Sequence, residues 1–181
     1  MVTKAMSAPT AITSNNLRRL TALDAEMYRE LRLDGLQRHP DAFGSSWEDE
    51  AVEQVDQFAE RLQRTVVVGA FSSNYDALYG AAGLHIPQAL KMRHKGVVWG
   101  MYVRPQARGS GIGASLLGRL IDLAVLQVEA LTLTVGAANT AAIALYNRAG
   151  FEPYGLEKRA LKIGGEYYDE ILMGLALRRS A

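Results

Sequence analysis

Apolar residues recur at two different spacings, and these divide the chain into predicted strands and helices. The clearest strand is residues 97–103, a run rich in β-branched and aromatic side chains that is predicted to be buried on both faces. Residues 111–126 follow helical spacing instead, with one apolar stripe made of Ile112, Leu116, Leu117, Leu120, Ile121 and Ala124. A glycine-rich loop therefore joins a central strand to a long amphipathic helix.

The same patterns predict the other elements. Strands are expected at residues 17–23, 66–71, 77–86, 130–135, 152–163 and 167–177, with a Gly164-Gly165 turn between the last two. Helices are expected at residues 24–38, at 47–64, and in a short segment capped by Asn139 or Thr140 and ended by Gly150. The order β-α-α-β-β-β-α-β-α-β-β predicts an α/β domain whose mixed central β-sheet is flanked by helices.

Length and composition fit one globular domain. The chain has 181 residues, of which 49% are hydrophobic and 22% charged. Residues 1–16 are rich in Ala, Ser and Thr and are predicted to form a flexible N-terminal tail before a single domain at 17–181. The net charge of +1 gives no electrostatic reason to expect a nucleic-acid or membrane partner.

The chain contains no cysteine. This excludes disulfides, thiolate metal ligands and a cysteine nucleophile, and it is consistent with a cytoplasmic location. The three histidines lack the spacing of metal ligands, so no metal is expected.

The glycine loop predicts an anion site. Gly109, Gly111 and Gly113 allow backbone N–H groups to converge at the positive end of the following helix, which implies the diphosphate of a nucleotide cofactor. The loop also fits the dinucleotide pattern G-x-G-x-x-A ending at Ala114. Two features argue against a dinucleotide site. Residues 104–108 separate the glycine loop from the preceding strand, and the elements before that strand form a hairpin and not the start of a βαβ repeat. A Walker A loop is excluded because no Gly-Lys-Ser/Thr follows.

Two motifs in the second half resemble the GCN5-related N-acetyltransferase (GNAT) family. Arg108-x-x-Gly111-x-Gly113 resembles the acyl-coenzyme A pyrophosphate loop of that family. A second motif resembles the strand and helix that follow this loop in the family. It reads Leu133-x-Val135-x-x-x-Asn139-x-x-Ala142-x-x-Leu145-Tyr146-x-x-x-Gly150-Phe151. Both motifs come in the family's order and spacing, and with the element order the resemblance covers residues 17–177.

The resemblance implies a set of residues that bind acetyl-coenzyme A. The pyrophosphate would be held by the backbone amides of Gly109, Ser110, Gly111, Ile112, Gly113 and Ala114, with Arg108 as a nearby cation. The pantetheine arm would pair with the free edge of the strand that contains Met101, Tyr102 and Val103, and Gly100 is a suitable place for a bulge in that strand. Asn139 would contact the arm in addition to capping its helix.

Tyr146 is the implied catalytic acid, with its hydroxyl near the cofactor sulfur, and it is also a candidate core residue. A phenol with a pKa of about 10 is protonated at neutral pH. Many family members carry a carboxylate base on the strand before the glycine loop, but residues 97–103 contain none. The base is left open among Glu48, Asp49, Glu50, His85, Asp169 and Glu170. Two alternatives also stay open, namely deprotonation through a water chain and a substrate that arrives neutral.

These features predict an N-acetyltransferase that moves an acetyl group from acetyl-coenzyme A to a primary amine by direct attack. Small amines, amino acids and protein amines all stay open as acceptors. Two interpretations stay open for a set of residues near the expected acceptor approach: Phe43, Trp47, Glu48, Tyr167 and Tyr168. One is an aromatic and acidic wall that suits a cationic amine, and the other is a packed corner of the fold. The alternative function is an acetyl-coenzyme A sensor or interaction module without effective catalysis. Family members often pair through their last strands, which leaves a homodimer open.

Overall fold

A single seven-stranded sheet organises the computed structural model, which describes residues 16–177. Its strands are β1 (Leu17–Arg19), β2 (Val66–Phe71), β3 (Leu78–His85), β4 (Lys95–Val103), β5 (Ala130–Gly136), β6 (Glu152–Ile163) and β7 (Glu166–Ala176). They lie in the order β1-β2-β3-β4-β5-β7-β6, and β4 and β5 form the parallel pair among otherwise antiparallel neighbours. The predicted mixed sheet is confirmed. The expected tail lies outside the described residues except for Asn16.

The helices are α1 (Ala25–Arg38), α2 (Trp47–Ala51), α3 (Val55–Arg64), α4 (Ile112–Ala124) and α5 (Thr140–Arg148). The prediction of one continuous helix at 47–64 is wrong, because the chain breaks between α2 and α3. Gln54 starts α3 through a capping box in which its backbone N–H donates to Gln57 Oε1 at 2.7 Å. The break lets Phe58 and Leu62 enter the core while Glu50, at the end of α2, contacts α1.

Two hydrophobic clusters cover the opposite faces of the sheet. Along β2, Val68 packs in one cluster and its neighbour Val67 in the other, as the alternation of side chains across a strand requires. The apolar stripe predicted for α4 is buried in the first cluster, apart from Ile121, which is partly buried at its border. Helices α1 and α3 cover the second cluster.

Strand β4 is less buried than the sequence predicts. Its buried residues are Gly96, Val98 and Tyr102, and the others are intermediate. The cause is its neighbour β5, which pairs with β4 only over three positions, the last being Val97 with Thr132. Beyond Val97 the two parallel strands separate, while β4 stays paired with β3 on its other side. The resulting gap between β4 and β5 positions the candidate site.

Candidate active site

The glycine loop enters α4 as predicted, and its geometry suits an anion. Gly109 and Gly111 have φ angles of +77° and +86°, which disfavour any residue with a Cβ. Gly111 is the N-cap of α4 and provides no side chain to cap it, so the first-turn N–H groups of α4 have no acceptor from the helix itself. A Cβ on either glycine would meet no atom within 4 Å. The loop therefore borders open space into which backbone donors of α4 can bind a phosphate.

Three contacts hold the loop in place. The Ser110 hydroxyl donates to the Ala107 carbonyl oxygen at 2.6 Å. Arg108 donates from Nε to the Val103 carbonyl oxygen at 3.0 Å, and its Nη2 lies 2.8 Å from His39 Nε2. The Arg108 cation is thus kept at the end of β4 beside the loop, where the resemblance implies it.

Gly113 has a packing role that the sequence does not reveal. A Cβ on this residue would lie 3.3 Å from Leu145 Cδ2, closer than most real Cβ contacts. Glycine at this position lets the first turn of α4 approach α5 closely.

The end of β4 presents a free edge for an extended ligand. Met101, Tyr102 and Val103 lie beyond the last residue that pairs with β5. The side chain of Tyr102 is buried on the α1 side, where its hydroxyl donates to Asp34 Oδ2 at 2.7 Å. Burial and the Asp34 carboxylate raise the pKa of Tyr102 to about 12. The backbone of Tyr102 pairs with Ala81 of β3, so Met101 and Val103 are the residues whose backbone groups face this edge.

The bulge expected at Gly100 is confirmed. Trp99 pairs with Gly83 and Tyr102 with Ala81, so two residues of β4 lie opposite one residue of β3. Gly100 adopts a φ of +62°, which glycine tolerates without strain. The bulge turns the backbone of β4 at the point where β5 has separated from it.

Tyr146 is both a core residue and a free hydrogen-bond donor. Its ring is 7% exposed and packs edge-on against Phe151, with centroids 6.0 Å apart. Burial raises the pKa of Tyr146 to about 12. Within residues 16–177 its hydroxyl makes no hydrogen bond, so it carries a proton that no protein acceptor uses. Asn139 begins the same helix, and the cap is confirmed because its Oδ1 accepts from the Ala142 N–H at 3.1 Å. A contact of Asn139 with the cofactor stays a prediction.

A cavity of about 260 Å³ lies in the gap between β4 and β5. Its wall consists of residues 97–100 of β4, residues 132–134 of β5, residues 42–45 after α1, and the side chains of Arg32, Tyr154 and Glu170. A larger groove of about 800 Å³, between residues 36–48 and residues 160–164 of β6, shares residues 43–45 with this wall. The two spaces therefore adjoin at residues 43–45.

Of the six candidate bases, Glu170 is the one on the cavity wall. It is half-buried on β7. Burial raises the pKa of Glu170, a hydrogen bond from Thr134 acts against this rise, and the negative charge of Glu157 adds to it. The net pKa lies above the ordinary glutamate value, which makes this carboxylate a better proton acceptor than a solvated one.

The other carboxylate candidates have different roles. Glu50 is buried and accepts hydrogen bonds from Arg32 and Arg61, which makes it a structural anion. Asp169 accepts the backbone N–H of Arg159 at 2.8 Å. Asp49 accepts from the Ser46 hydroxyl at 2.7 Å. These carboxylates support the local fold, and they do not line the cavity.

Arg32 is a site residue that sequence reasoning missed. It is 7% exposed on the buried face of α1, one helical turn after Tyr28. The available signal is an arginine within an otherwise apolar stripe, since a charged residue is rarely buried without a partner or a purpose.

Two features are absent from residues 16–177. No helix there is long and apolar enough to cross a bilayer. No group of three or more His, Asp or Glu side chains in that range is arranged to hold a metal ion.

Comparisons with known proteins agree with this geometry. A family model described as the Acetyltransferase (GNAT) family matches residues 27–151, more than half of the chain. The solved ribosomal-protein-alanine N-acetyltransferase of Brucella melitensis is 26% identical, with a TM-score of 0.75 over 89% of this chain and 99% of that one. A phosphinothricin acetyltransferase of Sinorhizobium meliloti, solved in complex with acetyl-coenzyme A, shares the fold with a TM-score of 0.79 and 23% identity over 93% of this chain and 89% of that one.

Sequence relatives match shorter regions. The N-alpha-acetyltransferase RimI of Mycobacterium tuberculosis is 40% identical over 63 residues, which are 35% of this chain and 39% of that protein. The chain spans less than half the length of the curated relatives that it matches.

Proposed function

The chain belongs to the GNAT acetyltransferase family, and from that premise we propose that it transfers an acetyl group from acetyl-coenzyme A to a primary amine by direct attack. The observation that carries this proposal is the separation of β4 from β5 after Val97. Residues 101–103 on the edge of β4 lie between the glycine loop and the cavity wall at residues 97–100, and we propose that they form a path between the two. An acyl arm held at the loop would reach the cavity along this path.

The residues present suit acetyl-coenzyme A as cosubstrate. We assign the pyrophosphate to the first-turn N–H groups of α4, with the Arg108 cation beside them. We assign the pantetheine arm to the edge of β4 at Met101, Tyr102 and Val103 that faces away from β3, by hydrogen bonds of the kind that add a strand to a sheet. On this edge the Val103 carbonyl oxygen also accepts from Arg108 Nε. This edge ends at the Gly100 bulge, which would place the thioester in the cavity.

The proposed reaction uses two protein groups for its protons. The amine nitrogen attacks the thioester carbonyl carbon, a C–N bond forms and the C–S bond breaks. Glu170 accepts the proton that the amine loses, and the hydroxyl of Tyr146 donates to the departing sulfur. A backbone N–H at the bulge would stabilise the negative charge on the carbonyl oxygen during the attack.

A sensor without effective catalysis is the less favoured alternative. Its support was the lack of a carboxylate in residues 97–103, and Glu170 offers a carboxylate at the same cavity from β7. We also propose a cytoplasmic location, in keeping with a chain free of cysteine.

Two measurements test the function. Calorimetric titration should show saturable binding of acetyl-coenzyme A and none of NAD, and thiol release from acetyl-coenzyme A should accelerate with some member of a panel of amines. Binding without any acceleration would favour the sensor. Failure of a folded sample to bind acetyl-coenzyme A would refute the proposal as a whole.

Glu170→Gln should lower kcat/KM by about 100-fold, because the variant has lost the proton acceptor. The activity of the wild type should rise with pH as Glu170 deprotonates, which gives the pH profile an acidic limb. The midpoint of this limb should lie above the ordinary glutamate pKa, because the pKa of Glu170 is raised. The pH profile of the Glu170→Gln variant should lack this limb. Steady-state rates between pH 4 and 9 would check both points.

Glu157→Gln provides the matched comparison. This change removes the negative charge that contributes to the raised pKa of Glu170, so the limb should shift to lower pH while kcat at its plateau is retained. A Glu170→Gln enzyme with an unchanged pH profile would show that another group, or solvent, is the base.

A further inference from the structure

Arg32 is held rigidly against the cavity by one side of its guanidinium group. Its Nε donates to both carboxylate oxygens of Glu50 at 3.1 and 3.2 Å, and its Nη2 donates to Oε1 at 2.7 Å. The guanidinium also stacks on Phe43, with Cζ 4.9 Å from the ring centroid. Glu50 is fixed in turn by Arg61 Nη1 at 2.8 Å.

The third nitrogen of this guanidinium has no partner. Arg32 Nη1 is buried and makes no hydrogen bond within residues 16–177. A Cβ built on Gly100 would lie 3.6 Å from this nitrogen. Apart from Gly100 and its two chain neighbours, no other described atom would lie within 4 Å of that Cβ. Arg32 and Gly100 both line the cavity, so the unpaired nitrogen lies buried in the cavity wall beside the bulge.

A buried, unused cationic donor is costly unless a ligand satisfies it. The second buried side-chain nitrogen without a partner in the described chain, Trp99 Nε1, belongs to another residue of the same wall. Arg32 and Trp99 thus each carry one unsatisfied donor nitrogen in a wall that also includes Glu170. The Trp99 nitrogen packs over Gly83 of β3, so the Arg32 nitrogen is the one beside the bulge. This arrangement lacks a hydrogen-bond acceptor, and an anionic one would fit best.

We propose that Arg32 binds a carboxylate of the acceptor, so that the preferred acceptor carries its amine and a carboxylate a few bonds apart. This inference rests on the proposed function, because it assigns the amine to the Glu170 side of the same cavity. A plain cationic amine would bring a second positive charge toward Arg32 and leave Nη1 unsatisfied. Of the residues expected to form an aromatic and acidic wall for such an amine, Trp47 and Glu48 line the outer groove and Phe43 lines both spaces.

The required chemistry has two sources, which an experiment can separate. A free amino acid supplies its α-carboxylate, and a peptide supplies a carboxylate when its first residue is Asp or Glu. The acceptor panel should therefore contain the twenty L-amino acids, their α-amides, and tetrapeptides that differ only in beginning with Asp or Asn. The measured quantity is kcat/KM from thiol release at saturating acetyl-coenzyme A.

The wild type should prefer a carboxylate acceptor over its matching amide by about 10- to 100-fold. Arg32→Met should abolish this preference by raising KM for the carboxylate acceptor, with little change for the amide. Preference for an acid over its α-amide identifies a free amino acid, and preference for Asp over Asn at the first position identifies a peptide. A wild type that treats acids and amides alike overturns the proposal.

Two other variants separate binding from structure. Arg29→Met serves as the control, because Arg29 donates to the carbonyl oxygens of Ala51 and Glu53 from the same helix without lining the cavity. It should retain the preference. Arg32→Lys keeps a charge near Glu50 if Arg32→Met does not fold, and it should also lose the preference, since a lysine cannot hold Glu50 and reach the cavity at once. An equal fall of kcat on acids and amides would instead assign Arg32 to the thioester oxygen and overturn the proposal.

A binding measurement distinguishes this inference from the proposed function. The twenty N-acetyl-L-amino acids and their amides should be titrated calorimetrically into wild-type and Arg32→Met protein. Arg32-dependent binding of the acids without any acetyl transfer would support the carboxylate site and refute the transferase. Acetyl transfer to amines that does not depend on a carboxylate would support the transferase and refute the carboxylate site. If no acid binds and no acid reacts, the inference is wrong.

Discussion

Replacing Tyr146 by phenylalanine should lower kcat by about 100-fold or more while leaving the affinity for acetyl-coenzyme A unchanged. The hydroxyl has no protein acceptor, so its loss breaks no internal hydrogen bond within the described chain, and the ring keeps its edge-on contact with Phe151. The variant should therefore unfold at the same temperature as the wild type. Thiol-release kinetics together with calorimetric titration would separate the catalytic effect from binding.

The raised pKa of Tyr146, about 12, is compatible with this role. A free thiol has a pKa of about 8.5, so a phenol in water would give up its proton to a thiolate only with difficulty. In the buried site the same desolvation that raises the pKa of the phenol also raises that of the departing sulfur. A hydrogen bond from the hydroxyl to the developing charge is therefore expected to provide most of the stabilisation.

Tyr79→Phe is the control for this variant. Tyr79 is partly buried and packs against the same hydrophobic cluster as Tyr146, but it lies on β3, away from the gap. Its kcat should match that of the wild type. Full activity of Tyr146→Phe would remove Tyr146 from the reaction and leave it as a core residue alone.

Glu50→Leu should destabilise the fold by about 3–5 kcal/mol. Glu50 is 5% exposed and is shared between Arg32 and Arg61. Without Glu50, the Arg32 cation is buried with no counterion. Of the ion pairs that Arg61 forms within residues 16–177, only the one with Glu53, at 2.7 Å, would remain. Urea unfolding at neutral pH would measure the loss.

Glu60→Leu is the matched control. Glu60 forms an exposed ion pair with Arg64 at 3.4 Å, and such pairs contribute at most about 1 kcal/mol. A loss of similar size in the two variants would mean that the buried network does not hold α2 against α1.

The effect of Glu50→Leu should depend on pH. Burial would raise the pKa of Glu50, but the hydrogen bonds and charges of Arg32 and Arg61 outweigh it, and the net pKa is lowered. A carboxylate whose pKa is lower in the folded state than in the unfolded state stabilises the protein fully at pH values above its unfolded-state pKa. This stabilisation is lost as the pH falls through the folded-state pKa. The difference between wild type and variant should therefore be constant near neutrality and shrink below about pH 4.5.

Local patterns were sufficient to predict most elements and the glycine loop that precedes α4. The helical stripe of α4, the Asn139 cap and the Gly164-Gly165 turn depend on residues close together in the chain, and the structure confirms each of them. The family motifs also lie within short segments, so the family could be identified before the fold was known. Backbone propensity, capping and glycine chemistry act over a few residues, which is why these features can be read from one sequence.

The cavity between β4 and β5 depends instead on contacts between distant segments. The break between α2 and α3, the separation of β5 from β4, and the burial of the Tyr102 hydroxyl against Asp34 each follow from packing that no local pattern encodes. Arg32 and Glu170 meet the same cavity from elements more than a hundred residues apart. Their roles arise from burial and from the partners that surround them, and these exist only once α1, β4 and β7 have packed together.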